Sequence, residues 1–355
     1  MDRASHLSII LDLSPTQWHL AAQSTNAYPL ALSTFLSHLL AFLNAHMACK
    51  DENSLAVFGA LPGKSVMLYS STMPIAEETV GPADANTYRP FKVLDSTVMK
   101  AVADELEALG EPEIEEPIGL VGAFTKSLCY INRVTNPSGN SNDRTDDPAT
   151  LPDPRILIVS VSPDQSSSYI SVMNSIFSAQ KLKVTIDVCK LYGAESVFLQ
   201  QAAHLTGGSY INIERPDAVL QYLMMSFLPP PGLRQLMSVP TQDKIDFRAA
   251  CFCHKTIVDI GFVCSVCLSI FCQPVPVCST CRTKFPIKTL QRLNASKPNL
   301  TSHTPARAST PATPANTLPR STSIAPGGSA RLQTNGSLYG TGPSAQQNGT
   351  PGPPR

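Results

Sequence analysis

Three catalytic signatures are missing from this 355-residue chain. It has no G-x-x-x-x-G-K-S/T loop, no G-x-S-x-G elbow and no H-E-x-x-H helix. Phosphate cradling by a P-loop, nucleophile-elbow hydrolysis and zinc-protease chemistry are therefore excluded. His6, His19, His38, His46, His204 and His303 are scattered, and none sits in a base–nucleophile arrangement. No stretch of 18 uninterrupted apolar residues occurs, which speaks against a transmembrane helix. The first apolar run, residues 7–11, ends at Asp12 without a small-residue cleavage site, so it reads as a strand and not a signal peptide. Charge is also sparse, at 15%. It balances at 27 against 27, but unevenly: from Gln291 onward there are six Lys/Arg and no Asp or Glu, leaving 21 against 27 over residues 1–290. An acidic body lacks the electrostatic footprint of a nucleic-acid surface. Together these features predict an intracellular chain.

What is present is strand–helix alternation. Residues 7–13, 54–61, 65–70, 156–161, 183–189 and 208–213 are rich in Val, Ile and Leu, as strands buried on both faces are. Between them apolar residues recur at three- and four-residue steps over 32–47, 94–109, 121–131, 173–177, 197–205 and 220–227. The pattern predicts an α/β fold, a mostly parallel Rossmann-type sheet with helices on both faces. Pro62-Gly63 between two adjacent runs predicts a hairpin, hence one antiparallel edge. The expected organisation is an α/β domain over 1–230 with a mobile loop at 135–154 and a linker over 231–247. A zinc-binding module over 248–290 and a disordered Ser/Thr/Pro/Gly-rich tail over 291–355 follow. Gly207-Gly208 lies between a helix and a strand and is not a phosphate loop.

Seven of the ten cysteines fall between Cys251 and Cys281. In a reducing compartment such a cluster is held by metal more often than by disulfides. Cys264-x2-Cys267 and Cys278-x2-Cys281 offer four thiolates from two tight turns, a closed tetrahedral shell suited to structural zinc. Cys251, Cys253, His254 and Cys272 form a possible second set, interleaved with the first as in a RING finger. The spacing Cys251-x-Cys253 is tighter than an ordinary knuckle, so a single zinc with the other thiols packed is the favoured reading. Phe252, Phe262, Phe271 and Phe285 are expected to supply the small apolar core beside the metal.

The first strand ends in Asp12-Leu13-Ser14-Pro15-Thr16. One carboxylate and two hydroxyls at the carboxyl end of a parallel sheet are hard ligands suited to magnesium. Asp and Ser are also ordinary loop and cap residues. Here the first 230 residues resemble a von Willebrand factor A domain, a family that completes this site with a Thr opening a middle helix and an Asp after the fourth strand. Asp164 meets the second requirement; Ile118 stands at the Thr position, with Thr125 two turns deeper. The resemblance thus implies a degenerate site of Asp12, Ser14, Thr16 and Asp164, and magnesium is not expected there.

The segments 248–255, 261–272 and 278–281, together with Thr206-Gly207-Gly208 and Phe227-Leu228-Pro229, resemble one family over about residues 5–290. It is that of the smaller von Willebrand A-type subunits of the general transcription and repair factor TFIIH. The resemblance implies a non-catalytic nuclear scaffold that docks the larger A-type, zinc-containing subunit and other core subunits. It would support promoter opening by RNA polymerase II and nucleotide excision repair. It implies DNA contact that is at most indirect, no membrane and no small-molecule substrate. Two other readings remain: a zinc-dependent nucleic-acid-binding module, with six Lys/Arg against two Asp over 244–290, and a magnesium-dependent phosphotransferase using Asp12 and Asp164.

Overall fold

The computed structural model describes residues 3–73, 87–110, 116–135, 152–165, 168–234, 236–237, 240, 245–288 and 291–292. Most of the 135–154 loop and nearly all of the 291–355 tail lie outside the described residues. Six strands form one sheet: β1 (Ser5–Asp12), β2 (Ser54–Leu61), β3 (Lys64–Ser70), β4 (Asp153–Ser160), β5 (Thr185–Lys190) and β6 (Tyr210–Asn212). Their order is β3-β2-β1-β4-β5-β6, parallel except for the β2–β3 hairpin. This is the expected von Willebrand A-like architecture, with the antiparallel edge in its expected place. The hairpin turns at Gly63, whose φ of +65° favours glycine.

Helices α1 (Pro15–Ala21), α2 (Leu32–Cys49), α3 (Arg89–Leu109), α4 (Leu120–Thr135), α5 (Tyr169–Lys181) and α6 (Val197–Thr206) cover the sheet. Two apolar clusters result. One packs α2 and α3 on one face through Phe35, Leu39, Phe42, Leu94 and Val98. The other packs α4, α5 and α6 on the opposite face through Phe124, Ile131, Ile176, Phe198 and Ala202. By length and composition α2 could cross a membrane, yet Phe35, Leu36, Leu39, Phe42 and Leu43 are in the core. The periodic run 220–227 is not one helix. It divides into a turn of α-helix, Val219–Tyr222, and a π-helical turn, Leu223–Phe227. Buried Val219, Leu223 and Phe227 repeat at four-residue steps, so the apolar period is the same while the hydrogen bonding changes.

Gly207, with φ +73°, caps α6 in the left-handed region, and its N–H bonds the His204 carbonyl at 3.3 Å. A Cβ on Gly208 would meet the Ile186 carbonyl oxygen at 1.9 Å. Gly207 thus ends the helix, and Gly208 permits the close approach of the chain to β5.

His6 on β1 and His46 on α2 are buried at the N-terminal end of the β1–β2 pair. His6 Nδ1 lies 2.7 Å from Ser54 Oγ, and its Nε2 lies 3.0 Å from Ser8 Oγ. Both pKa values are pulled down to about 4, by burial at His6 and by burial together with the Arg155 charge at His46. Between pH 6.5 and 4 the unfolded chain binds protons that the folded chain refuses. Stability is therefore lost as pH falls through that window, by about 3 kcal/mol per histidine at the limit. Urea midpoints at pH 7.5 and 4.5 check this. A His6→Gln/His46→Gln chain should show a shallower decline; equal declines would refute the assignment.

Candidate functional site

The cysteine-rich segment forms two small antiparallel pairs: β7 (Ala249–Ala250) with β8 (Ile257–Val258), and β9 (Phe262–Val263) with β10 (Ile270–Phe271). Its start is seated on the A-like domain. Ala250 is fully buried in the α4–α6 core cluster, with Ala249, Phe252 and Ile257 packed against that cluster. Gln201 on α6 donates to the carbonyls of Asp246 at 2.8 Å and Arg248 at 3.1 Å. The chain leading there is pinned as well: Arg234 is paired in a bidentate manner with buried Asp187 of β5 at 2.5 and 2.7 Å.

Cys264, Cys267, Cys278 and Cys281 bring their sulfurs within 4.8 Å of one another. The Cys264–Cys281 and Cys267–Cys278 separations are 3.7 and 3.5 Å. A tetrahedron of 2.3 Å zinc–sulfur bonds has edges of about 3.8 Å, so the four thiols are spaced to share one ion. Ser269 Oγ and Thr283 Oγ1 sit 3.1 Å from Cys267 and Cys281 Sγ, placed to donate to thiolates. The side-chain contact with Ser269 is the leading cause of the lowered Cys267 pKa, about 6. The Cys251, Cys253, His254 and Cys272 ligand atoms also gather within 4.8 Å. Both groups could hold a metal ion. Beside them, Phe271 is buried and Phe252 and Phe285 pack against it, while Phe262 is half-buried outside this cluster.

At the sheet end the predicted residues do not make an open cation site. Asp12 Oδ2 accepts from the Val161 and Ser162 N–H groups at 3.0 and 2.7 Å. Its Oδ1 accepts from Ser162 Oγ at 3.0 Å and the Ser14 N–H at 3.3 Å. All of its roughly four lone-pair positions are taken. Ser14 Oγ caps α1, accepting from the Gln17 N–H, and Thr16 is exposed on that helix. Asp164 is held by Ser196 Oγ and by the Phe198 N–H at the start of α6. Ile118 lines the adjacent pocket together with Asp12 and Asp164. Thr125 donates to Val121 within its own helix.

Lys190, at the end of β5, is the residue that the pattern search missed. It is fully buried, with its ammonium donating to the Ser162 carbonyl and, at 3.4 Å, to Ser160 Oγ. Burial lowers its pKa, opposed by the charges of Asp12 and Asp164. The buried ammonium feels the charges of both Asp12 and Asp164 and supplies positive charge that a divalent ion would bring, so the residues do not fit magnesium. Accordingly, 5 mM Mg²⁺ should leave the melting temperature unchanged. A shift growing with Mg²⁺ concentration would reveal an ion bound to the folded chain.

The model of the family described as Transcription factor Tfb4 matches residues 4–282, spanning both the sheet and the cysteine-rich segment. The chain belongs to the Tfb4 family. Among Tfb4 relatives, the General transcription and DNA repair factor IIH subunit tfb4 of Schizosaccharomyces pombe is 40% identical over 295 residues, covering 82% of this chain and 92% of that protein. The Arabidopsis thaliana subunit TFB4 is 38% identical over 291 residues, covering 80% and 90%. The crystal structure of the TFIIH p34 N-terminal domain superposes with a TM-score of 0.51 at 28% identity. It covers 62% of this chain and 97% of that domain.

Proposed function

We propose that this chain is a non-catalytic structural subunit of the TFIIH core, acting in the nucleus in transcription initiation and nucleotide excision repair. The observation that carries the reading is the family match over residues 4–282, with relatives named as factor IIH subunits. The site chemistry agrees. Asp12 accepts from backbone N–H groups and a hydroxyl, and Asp164 accepts from Ser196 Oγ and the Phe198 N–H, so both carboxylates have structural partners. The larger A-type, zinc-containing subunit is the proposed partner. Ile260, Val263, Val266, Leu268 and Ile287 project exposed apolar side chains from the cysteine-rich module, the kind of surface a partner subunit covers. Cys264, Cys267, Cys278 and Cys281 hold a structural zinc that keeps this surface in shape.

Co-expression with the larger A-type subunit tests the reading. A stable complex should elute as one species in gel filtration at 0.5 M salt. Separate elution of two folded proteins would overturn the docking role.

A further inference from the structure

Three turns in the cysteine-rich module share one backbone frame. In each, the N–H of a leading cysteine donates to the carbonyl five residues on, and its carbonyl accepts from the N–H four residues on. The pairs are Cys251 with Thr256 and Lys255, Cys264 with Ser269 and Leu268, and Cys278 with Thr283 and Arg282, every bond 2.9 Å. The residue four positions on has φ of +59° to +60° in all three, although none is glycine. An L-residue in the left-handed region is strained and persists where surrounding contacts impose it. A hydroxyl also returns to a sulfur in each turn: Thr256 to Cys251, Ser269 to Cys267 and Thr283 to Cys281.

The second and third turns present Cys267 and Cys281 three residues after the leading cysteine. In the first turn that position is His254. The first turn is therefore a knuckle of the same build, with Cys251-x2-His254 as its pair and an imidazole in place of one thiolate. Cys272, just beyond β10, meets it: His254 Nδ1 lies 3.2 Å and Cys253 Sγ 3.5 Å from Cys272 Sγ. The Phe252 N–H bond to the Ile270 carbonyl, 2.7 Å, clamps the two chain segments together.

We infer that Cys251, Cys253, His254 and Cys272 bind a second zinc ion, making the module binuclear. Three thiolates and one imidazole close a tetrahedral shell, with no open position. The second set's first three ligands precede Cys264 and Cys267, and its fourth, Cys272, falls between Cys267 and Cys278. Each ion therefore braces a loop that carries the other's ligands. This deepens the zinc reading of the Cys264 set and rests on it.

Zinc per full-length chain, by elemental analysis and native mass spectrometry, tests the inference. Two ions are expected in the wild type and one in Cys272→Ser. Cobalt substitution gives a readout that needs no variant: a centre with four sulfur ligands and a centre with three sulfurs and one nitrogen should appear together in the visible spectrum. His254→Cys should keep two ions and convert the spectrum to two all-sulfur centres. One ion in the wild type, retained in Cys272→Ser, would overturn the second site and leave the first standing. Zinc-free wild type would overturn both.

Discussion

Asp187→Ala is expected to cost about 3–5 kcal/mol, because it strands two guanidinium groups in the interior. Asp187 is 1% exposed on β5 and takes both Nη atoms of Arg234, which is itself buried. It also accepts the Ser209 N–H at 3.0 Å. Arg155 is buried close by. Burial lowers its pKa to about 10, and the Asp187 charge works in the opposite direction. Both arginines also donate to carbonyls at the end of the π-helical turn. Arg155 donates to the carbonyls of Phe227, Leu228 and Pro229 at 2.7, 3.0 and 3.2 Å, and Arg234 donates to Pro229 at 2.8 Å. Helix-end carbonyls, which would otherwise lack donors, are thereby satisfied. Without the carboxylate, two buried cations face only neutral acceptors. Asp187→Asn should fall between wild type and Ala, since it keeps an acceptor for Ser209 but no charge. Urea unfolding measures the loss, and a cost below about 1 kcal/mol for Ala would show that the pair is not needed. Loosening Arg234 should also expose the segment that leads to the cysteine-rich module, read as faster proteolysis between residues 229 and 248.

These buried charges mark where sequence reading stops. The sheet was legible because strands buried on both faces leave near-continuous Val, Ile and Leu, as in residues 156–159. The hairpin was legible through Pro62-Gly63. Arg155, Asp187, Lys190 and Arg234 look like ordinary polar residues in one dimension, since most of their partners lie 22 to 74 positions away. A weak signal existed: a lysine closing an otherwise apolar strand face with Ile186 and Val188, at the very end of the sheet where Asp12 also lies. The gathering of Cys264, Cys267, Cys278 and Cys281 was legible from spacing alone. Cys251, Cys253, His254 and Cys272 were legible as a possible second set, but the backbone frame that the Cys251 turn shares with the other two comes only from the hydrogen bonds. The short α1 also escaped, since its seven residues bury only Trp18 and Ala21 and so carry little periodicity.

Removing zinc with a strong chelator should unfold the module beyond about residue 256 while the A-like domain stays folded. The asymmetry follows from how little the module buries. Its own cluster has three fully buried members, Cys264, Phe271 and Cys278, and two of those are metal-site residues. Its strands are two residues long. Segments of this size, near 40 residues, lack the core to fold unaided and need a metal or a disulfide; all ten cysteines are free. Zinc binding to finger-like peptides supplies roughly 10–16 kcal/mol, far more than such packing can replace. The A-like domain has two apolar clusters on opposite sheet faces. Hydrogen exchange read by mass spectrometry should therefore lose protection across residues 257–285 after chelation, with α2, α4 and the central strands unchanged. Ala250 and its neighbours, seated in the α4–α6 cluster, should lose protection only in part. Cys264→Ser should mimic the chelator over the same residues in zinc-replete buffer. Full protection of 257–285 in chain shown to be metal-free would mean that thiol packing alone holds the module. If the exposed apolar residues of the module contribute to docking, the same treatment should weaken capture of the larger A-type subunit, and restoring zinc should restore it.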